Sequence, residues 1–218
     1  MEGPWTPEIE LKNIPDAVRA RMLKEADGFP YVGQFIFSGG QGSGKTLLLM
    51  HLVKQIHEEY PKAIIVSNIS VFGVPCVPYT GIDDFEKYKN GKDGTIFIID
   101  EIQVLYNALE SRNMPLSTME VWAQSRKNRR LILGTTQRYK RAAKPIREQT
   151  SYHYECRRPF FFVCYRYRVI DGSWYNDDGD IEIPEGEKMP SYGWYIPRLS
   201  VMTMYNTLEV VKRESNNS

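Results

Sequence analysis

The chain has 218 residues, 42% hydrophobic and 25% charged, with a formal net charge of +1. That length suits one α/β domain with room for a substantial core, and the near-neutral total excludes a uniformly basic or acidic protein. No signal peptide opens the chain and no apolar run approaches the roughly 18 residues of a membrane span, so a soluble, cytoplasmic protein is expected.

Residues 1–30 form a Pro-rich lead with one predicted helix over 15–26, and residues 31–150 read as the core. Tyr31 to Ser38 (YVGQFIFS) predicts a strand, and Thr46 to Tyr60 (TLLLMHLVKQIHEEY) a helix. Between them lies Gly39-Gly40-Gln41-Gly42-Ser43-Gly44-Lys45-Thr46, which fits G-x-x-x-x-G-K-[ST]. Such a loop binds a nucleoside triphosphate. Its glycines let backbone N–H groups converge on phosphate oxygens, and the helix N-terminus adds partial positive charge. Lys45 is expected on the β- and γ-phosphates and the Thr46 hydroxyl on Mg²⁺.

Ala63 to Ile69 (AIIVSNI) predicts a second strand, residues 71–80 a Pro/Gly-broken loop, and Asp83 to Lys89 a short helix. Thr95 to Ile99 (TIFII) predicts a strand ending directly in Asp100-Glu101. A buried parallel strand delivers Asp100 to its carboxyl end, where sites in open α/β sheets lie. Asp100 is the expected Mg²⁺ partner beside Thr46, and Glu101 the expected general base for water. Glu120 to Asn128 predicts a helix and Arg130 to Thr136 (RLILGTT) the next strand. Alternating apolar strands and helices imply a mostly parallel sheet covered on both faces.

From about residue 150 the chain turns to Tyr/Phe/Arg-rich strands, YHYEC and FFFVCYRYRVI, expected as antiparallel or edge additions to the same sheet through residue 218. Residues 126–168 hold 13 Lys/Arg against 2 Asp/Glu, a net of +11, and the remainder 15 against 25, a net of −10. Residues 171–187 carry seven acids and no Lys or Arg. A basic side turned to a polyanion or to another subunit follows. Within it, Arg138-Tyr139-Lys140-Arg141 interleaves cations with an aromatic, a composition for holding phosphates and stacking bases, or for meeting a neighbour's acidic stretch. Cys76, Cys156 and Cys164 form no C-x-x-C pair, which argues against a zinc site, and Cys164 is expected as a small buried hydrophobe. Trp174, Tyr175, Trp194 and Tyr195 read as packing or interface residues. No guanine-reading N/T-K-x-D motif is present, which favours ATP over GTP.

The strand between loop and acids predicts that another strand separates those two in the sheet. With the adjacent glutamate, this resembles the additional-strand, catalytic-glutamate branch of P-loop NTPases, of RecA-like fold. That branch senses the γ-phosphate from a polar residue on the next strand; Thr135, Thr136 and Gln137 are available, and Gln137 at the tip is preferred. The GSGKT loop, SNI strand, apolar-DE strand and TTQ ending resemble the FtsK–HerA superfamily over residues 31–150. Within it the chain is similar to the Zot-like ATPases of phages, which overlap viral genome-packaging ATPases, and Met204 to Val210 (MYNTLEV) echoes a late motif of such proteins.

The resemblance implies a ring, often hexameric, that hydrolyses ATP to move DNA, with an arginine from one subunit completing its neighbour's site. Arg126 and Arg147 are preferred for that role over Arg129, Arg130 and Arg138, with Arg112 after the acid pair as an outsider. Zot proteins of filamentous phages carry a membrane span after the ATPase domain, and none occurs here, which tilts the expectation toward a packaging motor with a procapsid partner. The alternative is an assembly or secretion ATPase acting on a protein.

Overall fold

Strand β1 (Gly33–Ser38) is buried along its whole length, and both of its neighbours run parallel to it. The computed structural model describes residues 28–105, 124–125, 127–158, 164–187, 192–197 and 199–205. Within them, β2 (Ile64–Ser67), β3 (Val77–Pro78), β4 (Thr95–Ile99), β5 (Arg130–Thr136), β6 (Thr150–Arg157), β7 (Tyr165–Asp171) and β8 (Tyr192–Tyr195) join β1 in one eight-stranded sheet. The order is β3-β2-β4-β5-β1-β6-β7-β8. All pairings are parallel except β6–β7 and β7–β8, which are antiparallel. β5 therefore separates β1 from β4, the arrangement expected from the sequence, and the late aromatic strands extend the same sheet.

The strands are apolar at consecutive positions because both faces are covered. Phe35, Phe37, Ile96, Ile98, Leu131 and Leu133 point to one face, against helix α1 (Lys45–Glu59). Ile36, Phe97, Ile99 and Ile132 point to the other. There they meet Phe85 of α2 (Asp84–Lys87), Ile102 of α3 (Ile102–Leu105) and Ile146 of α4 (Lys144–Glu148). Phe85 stacks on Phe97 with centroids 4.1 Å apart. A last helix, α5 (Leu199–Met202), rests on α1 through a Lys54–Ser200 hydrogen bond of 3.0 Å.

Some elements differ from expectation. β3 falls in the segment read as loop; it is two residues long and sits at a sheet edge, where Pro78 breaks no ladder bond. Helices α3 and α4 were not anticipated; α4 is only five residues long, and α3 is described as far as Leu105. Cys156 is the fully buried thiol, while Cys164 is only half-buried. The helix expected over 15–26, most of that over 120–128, and the late motif beyond residue 205 lie outside the described residues. Among the described residues, no helix is long and apolar enough to cross a membrane.

Truncating Phe97 removes the ring stacked on Phe85 at the centre of one apolar layer. Phe97→Ala is expected to lower unfolding stability by about 3–5 kcal/mol, read from the urea midpoint.

Candidate active site where the parallel strands end

The phosphate loop leaves β1 at Gly39, whose N–H donates to the Thr136 carbonyl of β5 (3.3 Å). A tight turn follows, with Ser43 N–H on the Gly40 carbonyl at 3.1 Å. Gly42 and Gly44 hold φ of 73° and 84°, the left-handed region where a side chain is strained. A Cβ on Gly44 would also strike Tyr165 and Tyr195, so the loop is closed on that side. Around Gly40 and Gly42 no atom comes within 4 Å of a Cβ position, so the loop is open there. Helix α1 begins with no side-chain cap and no acid in its first turn, leaving its N–H groups to an anion. The Ser43 hydroxyl is buried without a hydrogen-bond partner among the described residues.

Asp100 is the hub of the site. Its Oδ1 accepts hydrogen bonds from Thr46 Oγ1 (3.1 Å) and Thr135 Oγ1 (2.8 Å). Its backbone N–H donates to Asn68 Oδ1 (2.8 Å), and its carbonyl accepts from Asn68 Nδ2 (3.0 Å). Burial pushes the Asp100 carboxyl above its ordinary range; the two hydroxyls and Lys45 pull it back, and Glu101 pushes it further. Glu101 adopts φ of 53°, uncommon for a residue with a side chain, and its N–H is tied to Thr135 Oγ1 at 2.9 Å. Its carboxylate faces Lys45 Nζ at 3.5 Å and accepts a hydrogen bond from Gln103 Nε2.

The structure thus brings together Lys45, Thr46, Asp100 and Glu101. It adds Asn68, to which the sequence reading assigns no role, and Thr135, which stands there only as an alternative to Gln137. Thr135 bonds both acids because β5 lies beside β4 with Gly134 opposite Ile99, which sets the next residue level with Asp100. Asn68 lies one residue beyond β2, itself paired with β4, and clasps the Asp100 backbone. The adjacent SNI ending was the readable signal for Asn68. Gln137 is exposed, and its Oε1 accepts from Arg141 Nη1 at 3.3 Å.

Arg147 donates to the carbonyls of Lys140 (3.1 Å) and Ala142 (3.0 Å), fastening its own chain. Arg130 is wholly buried and paired with Glu86 at 3.0 Å, a fold fastener rather than a group to offer a neighbour. Arg126 lies outside the described residues.

Tyr139 corrects the sequence reading. It is buried, stacked on His153 with centroids 4.3 Å apart, and is no base-stacking residue. The acidic stretch meets the basic segment within the same chain, through Lys140–Asp180 (2.7 Å) and Lys144–Asp177 (3.6 Å). His153 is deeply buried beneath the loop, with Nε2 2.6 Å from Ser38 Oγ and Nδ1 against the Tyr175 hydroxyl. Burial holds its imidazole down to about 3, and Arg168 adds to the effect against an opposing Glu155. Tyr195 is packed as expected, whereas Trp194 is exposed.

The donor set suits a nucleoside triphosphate with a hard divalent cation: paired hydroxyl and carboxylate oxygens, a lysine, and an anion-ready helix start. A family model for the ATPase family associated with various cellular activities matches residues 35–158. Among solved structures, the N-terminal domain of zonular occludens toxin from Neisseria meningitidis superposes with a TM-score of 0.62 at 18% identity, covering 81% of this chain and 100% of that one. The genome packaging NTPase B204 from Sulfolobus turreted icosahedral virus 2, in complex with ATP-gammaS, gives 0.50 at 15% identity, covering 65% and 92%. The ATPase domain of G40P gives 0.50 at 10% identity, covering 76% and 90%. The likeness to Zot-like and packaging ATPases expected from the sequence is therefore present in the fold. No protein with a curated description matches the chain by sequence.

Thr135→Val keeps side-chain shape and removes both bonds to the acid pair. Steady-state kinetics should show kcat lowered roughly tenfold to hundredfold with KM for ATP little changed. The buried His153 sets a pH dependence of stability. Between its folded value of about 3 and its ordinary 6.5, the unfolded chain binds the extra proton, so stability falls as pH drops through that window. Denaturation at several pH values should show a shallower acid-side loss in His153→Gln than in the wild type.

Proposed function

The chain belongs to the ATPase family associated with various cellular activities, and from that premise we propose that it is a Mg²⁺-dependent motor that translocates or packages DNA as a ring. The observation that carries hydrolysis is the continuous linkage Thr46–Asp100–Thr135–Glu101–Lys45. Thr46 and Asp100 would hold Mg²⁺, whose charge offsets that building on the transferring phosphoryl oxygens. The cation would also favour the ionised form of Asp100 that burial disfavours. Lys45, the Ser43 hydroxyl and the loop N–H groups bind the phosphates. Glu101 accepts the proton of the attacking water. Lys45 Nζ stands 3.5 Å from the Glu101 carboxylate, so phosphate that draws the ammonium away would also release the base.

Three features support the DNA reading. The B204 protein that shares the fold is named as a genome packaging NTPase. Residues 126–168 carry a net of +11, with Arg138, Lys140 and Arg141 exposed. Gln137 follows β5, whose Thr135 bonds both acids, and accepts a hydrogen bond from Arg141, a route from γ-phosphate to a basic surface. A ring would set an arginine of one subunit against its neighbour's nucleotide. Arg126 is our first candidate, since Arg147 would have to give up two backbone carbonyls.

Glu101→Gln should bind ATP as tightly as the wild type and hydrolyse it at least a hundredfold more slowly, on the order expected for a lost general base. Steady-state hydrolysis at low salt, with and without single- and double-stranded DNA, tests the motor. Stimulation by DNA in the wild type alone is the expected result. Hydrolysis indifferent to both forms would turn the assignment to an assembly ATPase acting on a protein.

A further inference from the structure

Among the described residues, the face of β6 and β7 away from α1 is covered at His153 and Ile170 and opens toward Arg157, Tyr192 and Trp194. Residues on β6, β7 and β8 alternate, and Tyr154, Cys156, Tyr167 and Tyr195 point into the core shared with α1. The intervening residues point the other way and form two cross-strand rows: Arg157, Arg166 and Trp194, then Glu155, Arg168 and Tyr192. Tyr192 and Trp194 are 50% and 45% exposed, and the Arg157 side chain 69%. The Arg166 guanidinium stands 3.4 Å above the Tyr192 ring centroid and 5.7 Å from that of Trp194, holding both rings in place.

We propose that this face is a stacking platform for single-stranded nucleic acid, with bases on Tyr192 and Trp194 and phosphates on Arg157 and Arg166. The proposal rests on the DNA reading above and names where the strand is gripped. Charge selects the occupant. Three arginines stand here against one acid, Glu155, which pairs with Arg157 (2.8 Å) and Arg168 (2.7 Å). Among the described residues no carboxylate pairs with Arg166. Exposed rings flanked by cations are the elements of sequence-tolerant single-strand binding, and only unpaired bases offer free π-faces to them.

The platform also backs onto the nucleotide. Glu155 is level with Ser38, so Arg157 stands at the phosphate-loop end of the sheet. Trp194 is followed by Tyr195, whose side chain crosses to the opposite face and donates to the Gly44 carbonyl at 2.5 Å.

The test is fluorescence anisotropy with a labelled oligothymidylate of about 16 nucleotides, run over a range of salt. Each variant is paired with sedimentation velocity and basal ATP hydrolysis as controls of fold and assembly. The double variant Tyr192→Ala/Trp194→Ala should bind at least about tenfold more weakly with its salt slope kept, and Tyr192→Phe/Trp194→Phe should bind nearly as the wild type. Arg157→Ala should reduce the slope of log affinity against log salt by about 0.7.

Unchanged binding in the double alanine variant, or lost self-association with binding intact, overturns the platform and makes the face a protein contact. A wild type that binds only duplex also overturns the platform and leaves the motor standing. A wild type that binds neither form brings down both.

Discussion

The site depends on one buried carboxylate. Asp100 sits where β4 ends, and three other elements reach it: Thr46 from α1, Thr135 from β5 and Asn68 from beyond β2. An acid so placed is expensive to ionise unless its oxygens are hydrogen-bonded. The hydroxyls that meet this need also fix the spacing between the phosphate loop and the end of β4. Loop, sheet and acid are therefore held in register by the same few bonds. Glu101, in a backbone conformation it would not adopt alone, is anchored to Thr135 as part of that arrangement.

The segregated charge is resolved largely within the molecule. Asp180 and Asp177 come back to Lys140 and Lys144, so part of the basic segment is already neutralised at home. Exposed pairs of this kind contribute little to stability. Their effect is on the field, which is weakened over the 138–148 connection while Arg157 and Arg166 stand over the open end of the sheet. Within the basic stretch 126–168, the positive character thus shifts from the connection before β6 toward Arg157 and Arg166.

Much of this was legible in the sequence because the signals were local. The phosphate loop lies between its strand and its helix, and TIFII ends in Asp-Glu; each is set by a contiguous run, and strand order followed from where the runs fall. What escaped depended on contacts across the chain. Thr135 and Gln137 are two residues apart, and only the β4–β5 register sets one level with Asp100 and leaves the other exposed. Tyr139 read as an exposed aromatic among cations, yet His153 and Tyr175, far along the chain, bury it. Periodicity is silent on a helix of a single turn, so α4 had no readable pattern.

The two borders of the sheet are unlike, and this bears on how copies can meet. One border is β3, two residues long, and Pro78 has no N–H to offer. The other is β8, longer and carrying the exposed rings. A ladder continuing from copy to copy would have to nucleate on the blunted border, where there is almost nothing to pair with. In the proposed ring, neighbours would then meet through side-chain surfaces, and a ladder fusing repeated copies into a fibre is disfavoured.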